Sequence, residues 1–266
     1  MSPRAIPPAL EHALGRHERL AIAVSGGVDS MLLAHLAHAV VPQTVMLHAL
    51  SPAVPYEATA RVKRHAARGG WQLDLIDAEE LKDPNYTANP VNRCYFCKTN
   101  LYDRIAAATE ATIASGTNRD DLGDFRPGLK AAAERSVVHP FVEAGIGKRE
   151  IYALAEAHGL TDLAALPAQP CLASRIETGI VVTPDALGFI DEAERALRPL
   201  APPQAALRCR ITAAGVTVEL SPLPEGAARE ALDAAAATLC ADAGRTFLGV
   251  RPYRRGSAFV LERESQ

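Results

Sequence analysis

Short apolar runs alternate with amphipathic segments along the first two thirds of the chain. Four such runs, each bounded by turn residues, predict β-strands at residues 20–24, 44–49, 71–76 and 112–115. Apolar residues at helical spacing predict α-helices at residues 8–18, 30–40, 56–69, 94–110 and 147–159. Two prolines and two asparagines predict a loop at residues 81–90. Because parallel strands need long crossovers, the alternation predicts an α/β fold: a parallel sheet with helices on both faces.

The pattern changes after about residue 180, where strands cluster. Spacing there predicts a helix at residues 184–197 that begins at Pro184, followed by a β-hairpin of residues 207–211 and 216–220. It then predicts an alanine-rich helix at residues 225–239 and two strands at residues 246–250 and 258–261. Clustered strands with a helix between them are typical of an α+β domain. We therefore expect a larger domain over residues 1–180 and a smaller α+β domain over residues 181–266.

Composition and charge narrow the functional classes. The 266 residues are 48% hydrophobic, enough for a large core, and the formal net charge of −3 argues mildly against a nucleic-acid partner. No run approaches the roughly 18 apolar residues of a membrane span, and the first residues lack the apolar segment of a signal peptide. Five cysteines, an odd number, do not fit a secreted disulfide framework. We expect a cytoplasmic protein without membrane or nucleic-acid partners, whose thiols are free, metal-ligating or catalytic.

The most informative local feature is the sequence Ser-Gly-Gly-Val-Asp-Ser at residues 25–30, between a predicted strand and a predicted helix. Two glycines let the backbone approach an anion, and the helix that follows points its positive end the same way. Ser25 and Ser30 add hydroxyl donors, whereas Asp29 suits a Mg²⁺ ion that bridges phosphates. An ordinary strand-to-helix turn needs a glycine or two but not both serines and the acid. The Gly-x-x-x-x-Gly-Lys-Ser/Thr pattern of γ-phosphate transfer is absent.

Three cysteines form a second candidate site. Cys94 and Cys97 are three residues apart, which places both thiols on one side of a helical turn. That pair alone fits half a zinc site, a redox dithiol or two core cysteines, and no second pair completes a four-ligand zinc site. Together with Cys171 it provides three thiolates, which would leave one iron of a [4Fe–4S] cluster open. Arg175 lies near enough in sequence to favour the thiolate form of Cys171. The remaining cysteines are expected to be small buried hydrophobes: Cys209 and Cys240.

These segments together resemble the LarE family of ATP-dependent sulfur transferases, PP-loop ATP pyrophosphatases that make the nickel-pincer nucleotide cofactor of lactate racemase. The resembling stretches lie at residues 23–30, 89–104, 116–128 and 167–176. The middle two are the specific ones, and they read Asn-Pro-Val-Asn-Arg-Cys-Tyr-Phe-Cys-Lys-Thr-Asn-Leu-Tyr-Asp-Arg and Gly-Thr-Asn-Arg-Asp-Asp-Leu-Gly-Asp-Phe-Arg-Pro-Gly. Further along, Arg208, Arg210 and Glu219 match a basic-acidic pattern of the family's second domain.

The resemblance implies a reaction. ATP would adenylate a carboxylate of pyridinium-3,5-biscarboxylic acid mononucleotide with release of pyrophosphate. A sulfur nucleophile would then displace AMP and leave a thiocarboxylate. The sulfur would come from Cys171 itself or, as the three cysteines favour, from sulfide relayed by a [4Fe–4S] cluster. The implied cofactors are ATP, Mg²⁺ and a [4Fe–4S] cluster, and the implied partner is a small nucleotide substrate.

The resemblance also implies roles for individual residues, in four groups. Binding of ATP and pyrophosphate is assigned to Ser25, Gly26, Gly27, Val28, Asp29, Ser30, Gly116 and Asn118. Catalytic roles are assigned to Cys171, Lys98, Arg175 and Asp29. Binding of the substrate's phosphate is assigned to Arg126, Arg208 and Arg210. Metal ligation is assigned to Cys94, Cys97 and Cys171 for the cluster and to Asp29, Asp120, Asp121 and Glu219 for Mg²⁺. The alternatives are a polar turn at residues 116–121, a surface lysine at Lys98 and a salt-bridged arginine at Arg126.

Two departures from the family leave the acceptor open. Ala165 and Leu166 stand where the family commonly has Asp-Lys. Residues 249–254, Gly-Val-Arg-Pro-Tyr-Arg, replace the family's closing Leu-Asp-Leu-x-Gly-Tyr and so lack an acidic residue. We also expect the α+β domain to form the interface of a homo-oligomer, because most soluble oligomers are symmetric assemblies of one chain.

Three rival functions follow from the same residues. The first is a PP-loop enzyme that thiolates tRNA, against which the acidic net charge and the lack of a basic arm argue. The second is a synthetase that adds ammonia after adenylation, which would need no cysteine trio. The third is a non-catalytic nucleotide-binding module, which the combination of three acidic residues, a lysine and three thiols disfavours.

Overall fold

The computed structural model describes residues 5–123, 126–203, 205–254 and 256–259. The β-strands are β1 Arg19–Ala23, β2 Gln43–Leu50, β3 Gln72–Asp77, β4 Thr112–Ser115, β5 Ala206–Thr212, β6 Gly215–Ser221 and β7 Phe247–Pro252. The α-helices are α1 Pro8–Gly15, α2 Val28–Val40, α3 Tyr56–Gly69, α4 Pro84–Thr87, α5 Arg93–Ala108, α6 Pro127–Glu134, α7 Pro140–Glu143, α8 Lys148–Ala157, α9 Thr161–Ala164, α10 Pro184–Leu197 and α11 Gly226–Asp242. Short 3₁₀ turns lie at Glu80–Lys82, Arg119–Gly123, Leu172–Arg175 and Arg198–Leu200. Among these residues no helix combines the length and the apolar composition that crossing a membrane requires.

The chain forms two compact units. The first unit comprises Met1–Glu80 and Cys94–Gln169, and the second comprises Leu81–Arg93 and Pro170–Gln266. Asn89 fastens the inserted segment to the second unit, because its side-chain amide donates to the carbonyl oxygens of Glu177 at 2.8 Å and Ile180 at 3.0 Å. The second unit therefore begins at Pro170, before the predicted boundary at residue 180. It also includes Leu81–Arg93, which the sequence pattern did not assign to the smaller domain.

The first unit contains a four-stranded, all-parallel sheet with the strand order β3-β2-β1-β4. Successive residues of β1 point to opposite faces of the sheet. Leu20 and Ile22 belong to a core that includes residues of α1, α2, α3 and α8. Ala21 belongs to a second core with Tyr102 and Ile105 of α5. Helices thus flank the sheet on both faces, which confirms the predicted α/β class.

The second unit contains a separate mixed sheet. In it β5 pairs antiparallel with β6, and β6 pairs parallel with β7. Leu207 and Val218 of this sheet share a core with Leu232 of the alanine-rich helix α11. The predicted smaller α+β region is therefore present, and the predicted hairpin is confirmed.

Most predicted helices and strands are confirmed with ends that shift by a few residues, but three features differ. The predicted loop at residues 81–90 contains α4, whose first turn is capped because Asp83 accepts a hydrogen bond from the Asn85 N–H at 2.9 Å. The helices α6, α7 and α9 were not predicted, since four to eight residues show too little periodicity. The strand predicted at residues 258–261 is wrong for its first two residues: the Phe259 N–H closes a turn onto the Gly256 carbonyl at 2.9 Å. Its last two residues lie outside the described part of the chain.

Candidate active site

The loop between β1 and α2 is held in shape by its two serines. The Ser30 hydroxyl donates to the Gly27 carbonyl at 3.1 Å and accepts from the Ser25 N–H at 3.0 Å. Because the single Ser30 proton is used, Ser25 Oγ is the donor in the 3.0 Å contact between the two hydroxyl oxygens. Helix α2 begins at Val28, so the N–H groups of its first turn face the loop without intrahelical partners. This arrangement suits an anion at the loop.

Gly26 allows the loop to lie directly against α3. Its φ is +83°, and a Cβ at this position would lie 2.7 Å from the Ala58 carbonyl oxygen. Both facts restrict the position to glycine. Arg61 of α3 holds the same peptide, because its guanidinium donates to the Gly26 carbonyl at 2.7 Å and to Gln169 Oε1 at 3.1 Å. The loop backbone is therefore fixed before any ligand binds.

His48 supports the loop from β2. Its Nδ1 donates to the Val24 carbonyl oxygen at 2.8 Å, which leaves Nε2 to accept from the Thr59 hydroxyl at 2.9 Å. Burial lowers the pKa of His48 by more than the contact with the Val24 carbonyl raises it, so the neutral ring is favoured. A neutral ring with its proton on Nδ1 satisfies both hydrogen bonds.

Asp29, in the first turn of α2, pairs with a lysine that the sequence pattern did not reveal. Lys148 Nζ lies 2.8 Å from Asp29 Oδ1 and 2.6 Å from Oδ2. Asn118 Nδ2 also donates to Asp29 Oδ1, at 3.3 Å. Lys148 is the first residue of α8, and its ammonium lies 5.3 Å from the centre of the Tyr152 ring. The sequence signal was weak, because a lysine at a helix start is common and its partner lies 119 residues away.

The segment that follows β4 packs against the same loop. A Cβ at Gly116 would lie 2.6 Å from the Ser30 backbone nitrogen and 2.8 Å from the Asp29 carbonyl carbon. The two backbones therefore approach as closely as only glycine permits. Asn118, two residues on, is buried and contacts Asp29. The structure thus brings Gly116 and Asn118 to the loop, as the resemblance implied.

Asp120 and Asp121 shape the turn after β4. Asp121 Oδ2 accepts from the Asn118 N–H at 3.0 Å, and its Oδ1 lies 2.7 Å from the Arg126 guanidinium. Asp120 Oδ2 accepts from the Lys148 N–H at 2.7 Å at the start of α8. Ligation of Mg²⁺ by these carboxylates stays a prediction, as does binding of the substrate's phosphate by Arg126, which is here in an ion pair.

Cys94 and Cys97 lie near the start of α5 and form no disulfide; the first is exposed and the second is half-buried. Their spacing places both on one side of the helix. Lys98 follows them and packs against the start of α6: a Cβ at Gly128 would lie 3.0 Å from Lys98 Cγ and 3.5 Å from the Cys94 carbonyl oxygen. The Lys98 ammonium lies 5.9 Å from the centre of the Tyr102 ring. The start of α6 therefore covers the cysteine-bearing turn of α5.

In the second unit, Arg175 fixes the backbone around Cys171. Its guanidinium makes two 2.9 Å hydrogen bonds to the Glu194 carboxylate, and it donates to the carbonyl oxygens of Pro170 at 2.6 Å and Cys171 at 3.0 Å. Burial alone would lower the pKa of Arg175, but the Glu194 carboxylate outweighs burial and raises it. The Cys171 thiol itself is free and half-buried. Arg175 thus positions the cysteine-bearing loop, while the catalytic role expected for it stays a prediction.

We expect Glu194→Ala to lower the free energy of unfolding by about 3–5 kcal/mol, because it leaves the Arg175 charge buried without its partner. Denaturant unfolding followed by circular dichroism measures the change. The control is Glu192→Ala on an exposed position of α10, which should change the free energy of unfolding by less than about 0.5 kcal/mol. Equal and small changes in both variants would contradict the importance of this ion pair.

A buried cluster of charges lies on the sheet of the second unit. Glu219 is fully buried, and its carboxylate accepts from Arg210 Nε at 2.9 Å, from the Arg251 guanidinium at 3.1 Å and from the Ser257 hydroxyl at 2.8 Å. Burial alone would raise the pKa of Glu219, but the Ser257 and Arg210 hydrogen bonds lower it below its ordinary value. Pairing of β5 with β6 brings Arg210 and Glu219 together, a contact that the sequence pattern did not specify. A Mg²⁺ ion at Glu219 stays a prediction, and in this structure cationic side chains and a hydroxyl surround the carboxylate.

Arg208 lies two residues before Arg210, on the same face of β5. Its guanidinium carbon lies 5.9 Å from the centre of the Tyr253 ring. Burial, together with the neighbouring positive charge of Arg175, lowers the pKa of Arg208 to about 10. Arg208 donates to the Leu207 carbonyl oxygen at 2.7 Å, and Arg210 donates to the Ser174 carbonyl oxygen at 2.9 Å as well as to Glu219. Binding of the substrate's phosphate by either arginine stays a prediction.

The cysteines give mixed support for a metal site. Within the described residues no group of three or more His, Cys, Asp or Glu side chains is placed to hold a metal ion. Cys94, Cys97 and Cys171 form no disulfides and are at least partly exposed, and thiolates are the usual ligands of an iron–sulfur cluster. The first two belong to the first unit and Cys171 to the second, so the three-thiol cluster stays a prediction. Cys209 and Cys240 are buried, as predicted, and burial raises the pKa of both thiols.

Comparison with known proteins adds to this geometry. No protein-family profile matches the chain. An uncharacterized protein of Synechocystis sp. is 40% identical over 196 residues, which make up 72% of this chain and 73% of that protein. An uncharacterized protein of Methanocaldococcus jannaschii is 28% identical over 187 residues, 69% of this chain and 71% of that protein. The pyridinium-3,5-bisthiocarboxylic acid mononucleotide synthase of Lactiplantibacillus plantarum is 29% identical over 202 residues, 74% of this chain and 73% of that protein.

The fold and the loop define an α/β protein whose architecture is consistent with that of PP-loop proteins. The chain belongs to one family with the Synechocystis protein, and its similarity to the L. plantarum synthase supports the LarE family.

Proposed function

We propose that this chain is an ATP-dependent sulfur transferase that converts the carboxylates of pyridinium-3,5-biscarboxylic acid mononucleotide into thiocarboxylates. The observation that carries the proposal is a serine-bridged, anion-binding type of loop in a chain 29% identical to a bisthiocarboxylic acid mononucleotide synthase. The name of that synthase implies two such conversions for each molecule of product.

In the first half-reaction a carboxylate oxygen of the substrate attacks the α-phosphorus of ATP. Pyrophosphate leaves, and an acyl-adenylate forms. Ser25, Ser30 and the free N–H groups at the start of α2 bind the pyrophosphate end and stabilise the charge that develops on it. Asp29 holds the Mg²⁺ ion that accompanies ATP.

In the second half-reaction a sulfur nucleophile attacks the acyl carbon. AMP leaves with the former carboxylate oxygen, and a thiocarboxylate remains. When the Cys171 thiolate is this nucleophile, a thioester forms; a base then removes the Cα proton, the Cβ–S bond breaks with its electron pair on sulfur, and the thiocarboxylate leaves a dehydroalanine behind. A [4Fe–4S] cluster held by Cys94, Cys97 and Cys171 would instead supply an open iron position for added sulfide. In either case Arg175 keeps the Cys171 backbone in place.

Binding of the substrate's phosphate is assigned to Arg208. The burial of this side chain supports the assignment, because an anion nearby would offset the cost of burying its charge. Arg210 and Arg126, which pair with Glu219 and Asp121, are further candidates for the same role. Lys98 is assigned the role of stabilising the negative charge that develops as the acyl-adenylate forms.

Incubation with ATP, Mg²⁺, sulfide and the mononucleotide tests the proposal. We expect AMP and pyrophosphate in equal amounts, together with a product in which sulfur replaces a carboxylate oxygen, measured by chromatography and mass spectrometry. A pyridinium mononucleotide without carboxylates is the matched control and should give no AMP. Formation of ADP and phosphate, or of AMP with no sulfur-containing product, would contradict the proposal.

A further inference from the structure

We propose that Lys148 binds the pyrophosphate moiety of ATP, a role that rests on the proposed ATP cleavage and adds a residue to it. The Lys148 ammonium lies within hydrogen-bond distance of both oxygens of Asp29, at 2.8 Å and 2.6 Å. Asp29 belongs to the loop assigned to the phosphates. A cation is therefore already present where that loop receives its ligand.

The ion pair is accessible to a ligand. The side chain of Lys148 is 34% exposed and that of Asp29 is 27% exposed. The backbone at Lys148 is fixed independently of the pair, because its N–H donates to Asp120 at 2.7 Å and Ile151 anchors α8 in the core. The ammonium can thus change its partner while the helix that carries it stays in place.

Binding of Mg²⁺ and ATP supplies a reason for that change of partner. When Asp29 ligates Mg²⁺, its negative charge is shared with the metal ion, and its attraction for Lys148 falls. The pyrophosphate oxygens carry more negative charge than one carboxylate and stand beside the same loop. A lysine ammonium has three donors on a flexible stem, so it can contact a phosphate oxygen without leaving the vicinity of Asp29. Lys148 would also offset the repulsion between Asp29 and the phosphates.

Titration calorimetry with inorganic pyrophosphate and with AMP, in the absence of Mg²⁺, tests this role. We expect Lys148→Met to weaken pyrophosphate binding by roughly ten- to a hundredfold, the range of one charge-assisted hydrogen bond, and to leave AMP binding unchanged. Lys148→Arg should restore most of the affinity. Asp29→Asn should leave pyrophosphate binding unchanged or tighten it, because it releases the ammonium from its carboxylate partner.

Arg149→Met is the matched control, since it removes the same charge from the next residue, whose side chain is 94% exposed. Its pyrophosphate affinity should equal that of the wild type. The double variant separates direct binding from a role through Asp29: if the ammonium contacts pyrophosphate, Lys148→Met weakens binding in the Asp29→Asn background as well as in the wild type. If Lys148 acts only by neutralising Asp29, Lys148→Met has no effect in the Asp29→Asn background, and the proposal is overturned. Wild-type affinity in Lys148→Met overturns it as well and leaves ATP cleavage standing. If the wild-type protein binds neither pyrophosphate nor AMP even after Mg²⁺ is added, the proposed function fails and this role fails with it.

Discussion

Asp29→Asn is expected to lower kcat/KM for acceptor-dependent AMP formation by about 10²–10³-fold, the usual loss when a positioned electrostatic contact to the transition state is removed. The substitution preserves the shape of the side chain but removes the charge that is assigned to Mg²⁺ and that pairs with Lys148 in this structure. Initial rates measured over a range of ATP and Mg²⁺ concentrations separate the effect on kcat from the effect on KM.

Asp74→Asn is the control for Asp29→Asn. It removes a carboxylate from an exposed position of β3 in the same unit, so both kinetic constants should match those of the wild type. Near-wild-type kcat/KM in Asp29→Asn at limiting Mg²⁺ would show that the carboxylate of the loop has no part in ATP cleavage.

Cys171→Ser is expected to lower thiocarboxylate formation by at least about 10³-fold, because a serine hydroxyl is a poor nucleophile and a poor ligand for iron. The adenylation step should survive, since its residues lie in the loop at residues 25–30. Substrate-dependent exchange of labelled pyrophosphate into ATP measures adenylation alone. We expect that exchange to continue in Cys171→Ser while the sulfur-containing product disappears.

Three further variants complete this test. Cys240→Ala alters a buried thiol of α11 that has no assigned role and should retain sulfur transfer. Cys94→Ser and Cys97→Ser distinguish the two sulfur sources. If a cluster relays sulfide, the wild type makes more than one product per chain with excess sulfide, and both variants make none. If Cys171 surrenders its own sulfur, both retain one product per chain, and intact-mass analysis finds dehydroalanine at residue 171. Normal sulfur transfer by Cys171→Ser would contradict both versions.

Much of the first unit could be predicted because its signals are local. Each strand of the parallel sheet is a short apolar run, and the helices between them carry their own periodicity. The glycines and serines of residues 25–30 likewise act on neighbours within the loop, as the contact between the Ser25 and Ser30 hydroxyls illustrates. A pattern of this kind can be recognised from one sequence, because its members are adjacent.

The remaining features depend on contacts between distant parts of the chain. Lys148 meets Asp29 across 119 residues, and nothing near Lys148 in sequence marks it as different from other lysines. Asn89 donates a hydrogen bond to the Glu177 carbonyl oxygen, 88 residues away in sequence. The predicted loop that contains Asn89 therefore belongs to the second unit. The short helices α6 and α7 begin with proline, which favours the first helical turn. Both helices contain too few residues to show a periodic pattern of apolar positions.

In the proposed reaction a carboxylate of the substrate is adenylated and then gives up an oxygen to AMP. Mononucleotide labelled with oxygen-18 in both carboxylates makes this transfer measurable. We expect AMP isolated after turnover with sulfide to carry one oxygen-18 atom for each thiocarboxylate formed. Unlabelled AMP with the oxygen-18 found in water would contradict the proposed reaction. Formation of ADP or of inorganic phosphate would contradict it as well.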